Sequence, residues 1–173
     1  MVKNEADLLD LQKASETNNH KEEITYEQLT QTGLNTIDQI QKLFPNWRRA
    51  SVIKKVKEAH DGKDYRFVAK VDGEIIAHVK YEKRHGIHKH IVHVTSLIVS
   101  NKYRRRGIAN KLMTFSMKQL PKEIIIITLA VDSKNRAAIN LYKKIGFKKY
   151  GILKKASLIK GKYVDNYMME LHH

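Results

Sequence analysis

The chain has 173 residues, 42% of them hydrophobic, which is enough for one core of ordinary size and favours a single domain. It contains no cysteine, so disulfides, thiolate metal sites and a cysteine nucleophile are excluded. No apolar run reaches the length of a membrane span, and the first residues lack the apolar stretch of a signal peptide. We therefore expect a cytoplasmic protein.

The formal net charge of +15 is unevenly distributed. Residues 1–30 contain three lysines and seven carboxylates, a net charge of −4 that leaves +19 on the remainder. A basic body of this kind favours polyanionic partners such as a nucleotide-like cofactor, RNA or DNA. A lysine-rich, solubilising surface gives the same total, so charge alone does not choose between these interpretations.

The first half of the chain predicts strands and helices in turn. Residues 1–23 are polar and acidic and are expected to form a helical or frayed leader before a single domain over 24–173. A short strand is predicted over 24–29. Two helices are predicted over 36–44, closed by Pro45, and over 47–59, because apolar residues recur there at helical spacing. Strands over 65–71 and 74–81 form a hairpin, since Asp72-Gly73 suits a two-residue type I′ turn.

The second half continues the alternation. A loop rich in His and Lys over 83–90 leads to a strand over 91–99, and the next helical pattern runs to Leu120. The continuous apolar run over 124–131 predicts a central strand buried on both faces. Ser133 is predicted to cap a helix over 135–145 that ends at Gly146. Strands over 147–155 and 163–171 complete a terminal hairpin, and the closing His172-His173 is compatible with a purification tag.

An arginine-rich turn lies between the strand over 91–99 and the helix that follows it. Its sequence is Arg104-Arg105-Arg106-Gly107-Ile108-Ala109. A turn from strand to helix leaves backbone N–H groups unpaired at the helix start, where the helix dipole adds partial positive charge. Three guanidinium groups surround the same point. This arrangement predicts a cradle for phosphate groups.

Three segments in this order carry a family resemblance. They are Ser96-Leu97-Ile98-Val99 with Tyr103-Arg104-Arg105-Arg106-Gly107-Ile108-Ala109, then Leu129-Ala130-Val131-Asp132-Ser133-Lys134-Asn135, then Ala138-Ile139-Asn140-Leu141-Tyr142-Lys143-Lys144-Ile145-Gly146-Phe147. The last is close to the pattern A-x-x-L-Y-x-x-x-G-F. Together they resemble the GNAT superfamily of N-acetyltransferases. The resemblance implies an α/β fold of the α+β type, with a mixed, largely antiparallel twisted sheet of about six to seven strands flanked by about four helices.

The resemblance also implies a cofactor, acetyl-CoA as acyl donor, and no metal. Arg104 takes the first position of the family's Q/R-x-x-G-x-G/A loop, so the amides that follow it should hold the pyrophosphate. Strand residues of the first segment should pair with the pantetheine arm, and Asn135 should bond to it or cap a helix. The cofactor-binding residues expected on this basis are Ile98, Val99, Arg104, Arg105, Arg106, Gly107, Ile108, Ala109 and Asn135.

Two residues are expected to act in catalysis. Tyr142 matches the family's usual general acid, which protonates the departing thiolate, although its place on an apolar helix stripe also suits a core tyrosine. Some family members carry a glutamate base on the strand before the cradle, and the matching position here is His93. A histidine titrates near neutral pH and can serve as a base. The alternatives are ordered water as the base and a surface role for His93.

The expected reaction is direct acetyl transfer, in a ternary complex, to the primary amine of a small molecule. The terminal hairpin resembles that of relatives that act on small amines, amino acids or antibiotics. An acceptor at a protein or ribosomal-protein N-terminus is the alternative, and a basic nucleic-acid-binding module without enzymatic activity is the third interpretation. The module gives no reason for the motif that contains Tyr142. The sequence leaves open the acceptor, the acyl-chain preference, and whether the protein is a monomer or a homodimer.

Overall fold

The computed structural model describes residues 22–30 and 34–173, so the predicted acidic leader lies almost wholly outside the described residues. The strands are β1 (Ile24–Gln28), β2 (Asp64–Val71), β3 (Glu74–Lys83), β4 (Ile91–Val99), β5 (Ile126–Asp132), β6 (Lys148–Ile159) and β7 (Lys162–His172). The helices are α1 (Leu34–Leu43), α2 (Arg49–His60), α3 (Ile108–Lys118) and α4 (Arg136–Ile145). None of the described helices is long and apolar enough to cross a membrane.

The seven strands form one sheet in the order β1-β2-β3-β4-β5-β7-β6. Every neighbouring pair is antiparallel except β4 and β5, which run parallel. The Asp72-Gly73 turn between β2 and β3 has positive φ at both residues, +49° and +77°, as a type I′ turn requires. The mixed, largely antiparallel sheet and the four helices predicted from the sequence are confirmed.

The sheet separates in its middle. Pairing between β4 and β5 covers only Ile91 to Val94 against Ile126 to Leu129. Beyond that point β4 stays with β3 and β5 stays with β7. A bulge marks the start of the separation, because Lys80 pairs with Ser96 whereas Tyr81 pairs with Val94, leaving Thr95 without a partner in the ladder. The two parallel strands therefore diverge toward their carboxyl ends and open a gap in the sheet.

Two apolar cores hold the helices on opposite faces of the sheet. The larger core joins α3 to the sheet, and it includes Phe67, Val79, Tyr81, Val92, Ile108, Leu112, Met113 and Ile127. The smaller core joins α1 and α2 to the other face, and it includes Ile40, Val52, Val56, Val68 and Ile75. All are almost fully inaccessible to water apart from Ile75, which is 7% exposed. Burial on both faces fixes β3 and β4 firmly beside the gap.

The expectation that the strand over 124–131 is buried on both faces was wrong. Along β5 burial alternates, with Ile127, Leu129 and Val131 buried and Ala130 exposed. The physical reason is that the larger core contains Ile127, Leu129 and Val131, whereas the smaller core on the opposite face of the sheet contains no described residue of β5. A parallel strand at an opening in the sheet thus has one apolar face and one face available to a ligand.

Of the two caps that the sequence suggested for the fourth helix, Ser133 was wrong and Asn135 is confirmed. The residue that caps α4 is Asn135, whose side-chain oxygen accepts a hydrogen bond from the Ala138 amide at 3.1 Å. Ser133 instead donates its backbone N–H to the Asp165 carbonyl at 2.9 Å, which ties the loop to β7. Gly146 ends α4 with a φ of +115°, as predicted.

Candidate active site

The turn between β4 and α3 has the backbone of an anion-binding cradle. Arg105 and Gly107 have φ values of +65° and +77°, with Arg106 between them. The first hydrogen bond within α3 runs from the Lys111 amide to the Gly107 carbonyl at 3.1 Å, so the amides of residues 108–110 precede the helical ladder. Alternating backbone conformations of this kind aim successive N–H groups at one point, and the helix dipole reinforces them.

The three arginines of the cradle differ in what their side chains do. Arg104 donates from Nε to the Val99 carbonyl at 3.1 Å, which fastens the turn to the end of β4. Arg106 pairs with Glu22 at 2.7 Å and lies over the Tyr103 ring at 5.1 Å. Arg105 has no hydrogen-bond or ion-pair partner among the described residues. The donors left for an anion are therefore the Arg105 guanidinium, the terminal amino groups of Arg104 and the backbone amides.

A cavity of about 530 Å³ extends from this cradle into the gap between β4 and α4. Its walls contain eight of the nine cofactor-binding residues expected from the sequence, together with Tyr142, and Arg106 is the one that does not line it. The lining residues are Leu97, Ile98, Val99, Tyr103, Arg104, Arg105, Gly107, Ile108, Ala109, Asn110, Asn135, Ala137, Ala138, Leu141 and Tyr142. We call this the first cavity.

A second cavity of about 360 Å³ occupies the gap between the diverging strands. It is lined by Phe44, Val94, Thr95, Ser96, Leu97, Ile98, Ala130, Val131, Asp132, Asn135, Ala138 and Tyr142. Five of these residues also line the first cavity, namely Leu97, Ile98, Asn135, Ala138 and Tyr142. The two cavities therefore share a wall, and Tyr142 belongs to it.

Tyr142 is held rigidly at this shared wall. Its side chain is 8% exposed, and its ring meets Phe147 edge to face at 5.7 Å between centroids. Burial raises the pKa of Tyr142 to about 12, so the hydroxyl keeps its proton at any physiological pH. No described residue forms a hydrogen bond with that hydroxyl. It is a proton donor that lines both cavities and has no partner of its own.

His93 lies on β4 within the stretch that is still paired with β5, and it lines neither of the two cavities. Its Nδ1 is 2.8 Å from the Thr128 hydroxyl, which itself donates to the Val92 carbonyl at 3.3 Å. When the Thr128 hydroxyl donates to Val92, Nδ1 of His93 is the donor to that hydroxyl and Nε2 keeps a lone pair. Burial lowers the pKa of His93, the nearby Arg84 lowers it further, and Glu82 opposes them. The imidazole is consequently neutral at pH 7.

Sequence reasoning missed the polar and aromatic walls of the second cavity. Phe44 comes from the connection after α1, where its ring stacks on Trp47 at 4.0 Å, and Ser96 comes from the bulged part of β4. Asp132 is the last residue of β5. Ser96 and Asp132 lie in segments that carry the family resemblance, but neither was identified as a site residue, although a polar residue at the end of a strand lies where ligands bind in layered folds.

Within the described part of the chain, no group of three or more His, Cys, Asp or Glu side chains is arranged to hold a metal ion. The ligands that a bound molecule would find here are backbone amides, the guanidinium groups of Arg104 and Arg105, hydroxyl groups and a carboxylate. Such a set suits a phosphate-bearing molecule in the first cavity and a small polar group in the second.

Known proteins share both the sequence and the fold around these cavities. An N-alpha-acetyltransferase of Sulfurisphaera tokodaii is 38% identical over 99 residues, which are 51% of this chain and 59% of that relative. The L-amino acid N-acetyltransferase AaaT of Escherichia coli is 32% identical over 104 residues, which are 59% of this chain and 64% of that relative. The chain thus spans about three-fifths of the length of the curated relatives it matches.

A solved acetyltransferase of the GNAT family from Streptococcus pneumoniae has the same fold. It superposes with a TM-score of 0.73 at 18% identity, covering 87% of this chain and all of that one. The family model described as Acetyltransferase (GNAT) family matches residues 33–147, a stretch that begins at α1 and ends after α4. The match contains the cradle and every lining residue of both cavities. On this evidence the chain belongs to the GNAT family of acetyltransferases.

Proposed function

We propose that the protein transfers the acetyl group of acetyl-CoA to a primary amine by direct attack in a ternary complex. The amine nitrogen forms a bond to the thioester carbonyl carbon, the bond from that carbon to sulfur breaks, and the thiolate takes up a proton. The products are the N-acetylated amine and free CoA. The observation that carries the proposal is that a cavity with a phosphate cradle at one end shares Tyr142 with a second cavity.

The first cavity suits the donor. A pyrophosphate at the cradle would meet the amides of residues 108–110 and the free guanidinium of Arg105. From there a pantetheine arm would follow the wall that contains Ile98 and Val99, toward Asn135. The side chain of Asn135 already caps α4, so its Nδ2 group is the part left for the arm. This assignment keeps all the expected cofactor-binding residues except Arg106 in contact with the donor.

Tyr142 is the general acid in this proposal. A thiolate that leaves the acetyl group at the shared wall would accept the phenolic proton, which the raised pKa keeps in place until that moment. The enzyme family uses acetyl-CoA, and CoA supplies the activated acyl group while the protein orients it and manages protons. Tyr142 is thus the residue on which turnover, rather than binding, should depend.

The acceptor must lose a proton before it attacks, because an ammonium group has no lone pair. His93 lines neither cavity, so it would take that proton through Nε2 across a water molecule, and ordered water at the second cavity is the alternative base. His93 lies on β4 immediately before Val94, which lines the second cavity. The proton from the amine leaves toward solvent, and it is separate from the proton that Tyr142 supplies.

We propose the primary amine of a small molecule as acceptor, in the cytoplasm. The volume of about 360 Å³ suits a small group. The second candidate is a protein N-terminus, which the 38% identity to an N-alpha-acetyltransferase favours. Both kinds of acceptor present an α-amine, so the same chemistry at the shared wall serves either.

The test is a panel of primary amines, amino acids, aminoglycosides and short peptides, with release of free thiol from acetyl-CoA as the readout. The proposal expects thiol release that depends on both substrates, together with a rise in melting temperature when acetyl-CoA is added. Absence of any acetyl-CoA binding would overturn the proposal. Release of free thiol without formation of an N-acetylated amine would show that the protein only hydrolyses acetyl-CoA.

A further inference from the structure

The second cavity contains a single carboxylate, that of Asp132, and no lysine, arginine or histidine lines it. Asp132 ends β5, where it pairs with Asn166 of β7 after the separation from β4. Asp132 lines the second cavity and not the first, and Tyr142 lines both. The lining of the second cavity is thus negatively charged, although the whole chain carries a net charge of +15.

Only one of the two carboxylate oxygens of Asp132 accepts a hydrogen bond from a described residue. Oδ1 accepts a hydrogen bond from the Lys134 amide at 2.8 Å, which fixes the turn before α4. No described cation forms an ion pair with Asp132, although other carboxylates such as Asp64 and Asp38 have cationic partners at 2.6 to 3.6 Å. Oδ2 is consequently an anionic acceptor without a counter-charge, which is a favourable place for an ammonium group.

We propose that Asp132 binds the ammonium form of the acceptor and selects primary amines that carry no carboxylate beside the amine. The inference rests on the proposed acetyl transfer and names the acceptor class for the same site. An α-amine titrates at about 8, so at neutral pH it arrives as a cation that Oδ2 attracts. An amine with an adjacent carboxylate brings a second negative charge toward Asp132 and finds no cation on the cavity wall to neutralise it.

This selectivity favours simple amines, amino acid amides and peptide N-termini over free amino acids. Repulsion between two carboxylates is stronger in a partly enclosed cavity than in bulk water. Asp132 acts in binding and orientation. The proton that leaves the ammonium goes to the base or to water before the nitrogen attacks the thioester.

Alanine and alaninamide form a matched pair for the test when kcat/KM is expressed per concentration of unprotonated amine, because the carboxylate of alanine also raises the pKa of its amine. With acetyl-CoA saturating, the wild-type protein should acetylate alaninamide with a kcat/KM at least about tenfold above that for alanine. Asp132→Asn should raise the KM for alaninamide about tenfold, with a smaller change in kcat, and should bring the two acceptors close together. An asparagine keeps Oδ1 for the Lys134 amide, so the turn should survive the substitution.

Asp165→Asn is the control. Asp165 lies on β7, accepts a hydrogen bond from the Lys155 amide at 2.9 Å, and lines neither cavity. This variant should retain the preference of the wild-type protein for alaninamide. A thermal shift with acetyl-CoA that is the same in both variants and the wild type shows that the donor site is intact.

The outcomes separate the inference from the proposed function. Equal or better use of alanine by the wild-type protein, or an unchanged preference in Asp132→Asn, overturns the role of Asp132 while acetyl transfer stands. No acetylation of any amine in the wider panel, despite acetyl-CoA binding, overturns the proposed function. The change in the preference between the wild-type protein and Asp132→Asn decides the role of Asp132, because both proteins meet the same two amines at the same pH.

Discussion

The first and second cavities share a wall but are built in different ways. The first cavity takes its donors from one continuous turn, in which Arg105 and Gly107 set the backbone and the start of α3 supplies the amides. The second cavity is assembled from distant parts of the chain, with Phe44 after α1, Ser96 on β4 and Asp132 on β5. Local backbone geometry thus defines the donor site, whereas long-range side-chain placement defines the acceptor site.

This difference has a functional consequence. A cradle made of backbone amides depends little on side-chain identity and suits a cofactor that is the same in every relative. A cavity made of separate side chains can change its acceptor through single substitutions. The two relatives with different acceptors in their names, an N-alpha-acetyltransferase and an L-amino acid N-acetyltransferase, are consistent with that division.

Removing the hydroxyl at the shared wall should have the largest effect. Tyr142→Phe should lower kcat by about 10²-fold or more, because the thiolate would leave without its proton donor. Acetyl-CoA affinity should change little, since the ring and its contact with Phe147 remain. Steady-state kinetics together with calorimetric titration of acetyl-CoA check both statements.

Tyr81→Phe is the matched control for Tyr142→Phe. The Tyr81 hydroxyl is buried and bonds to Ser116 at 2.6 Å, and Tyr81 lines neither cavity. Loss of that hydroxyl should lower the melting temperature and spare kcat. Turnover at the wild-type level in Tyr142→Phe would remove Tyr142 from the mechanism.

Substitutions that change the backbone of the cradle should have the next largest effect, and they should weaken the binding of acetyl-CoA without affecting the acceptor. Gly107→Val forces a β-branched residue into a φ of +77°, at a cost of about 1–2 kcal/mol, and should weaken acetyl-CoA binding about tenfold. Arg105→Ala should weaken it only a few-fold, because the amides remain. Dissociation constants from titration calorimetry provide the measurement.

Gly86→Val separates strain from function in this experiment. Gly86 has a φ of +61°, a Cβ there also meets no atom within 4 Å, and it lies in the exposed turn before β4. The same strain at Gly86 should lower stability without changing acetyl-CoA affinity. A larger loss from Arg105→Ala than from Gly107→Val would favour a side-chain-driven polyanion site over the cradle.

The role of His93 should appear as a change in pH dependence. Its pKa is lowered, mainly by burial, so in the wild-type protein the neutral base persists below pH 6.5 and kcat/KM falls only at lower pH. His93→Ala should move the acidic limb to higher pH, toward the titration of the amine itself. His88→Ala, in the exposed turn before β4, should leave the profile as it is. An unchanged acidic limb in His93→Ala excludes His93 as the base.

The smallest effect at neutral pH is expected from His78, which contacts a lining residue of the second cavity and should influence stability. His78 is 1% exposed, and its Nδ1 lies 3.4 Å from the Ser96 hydroxyl. Burial lowers the pKa of His78 to about 3, with Arg66 and Lys80 adding to the shift and Asp64 opposing it.

Below about pH 6.5 the unfolded chain binds a proton at His78, whereas the folded chain does not. The free energy of unfolding therefore falls as the pH is lowered from about 6.5 toward 3. The loss is up to about 1.4 kcal/mol per pH unit. His78→Gln should be less stable than the wild type at pH 7, with a difference that narrows toward pH 5. Denaturant unfolding at several pH values measures it, and parallel pH dependences would contradict the account.

The sequence could predict the first cavity, which is built locally, better than the second cavity, which is built from distant segments. The cradle, Tyr142 and the terminator Gly146 lie in short motifs whose meaning is local, and the structure brings the expected donor-site residues together around one cavity. The partly exposed face of β5 could not be predicted, because an apolar run does not reveal that the smaller core forms against other strands of the sheet. For the same reason Phe44 carried no signal, since its proximity depends on packing across the sheet.

The central claim is that acetyl-CoA lies in the first cavity with its sulfur at the wall shared with the second. A crystal structure of the protein with acetyl-CoA tests it most directly. The account predicts the pyrophosphate at the amides of residues 108–110, and the thioester sulfur within hydrogen-bonding distance of the Tyr142 hydroxyl. A pyrophosphate bound away from the turn between β4 and α3, or a thioester turned away from Tyr142, would contradict it.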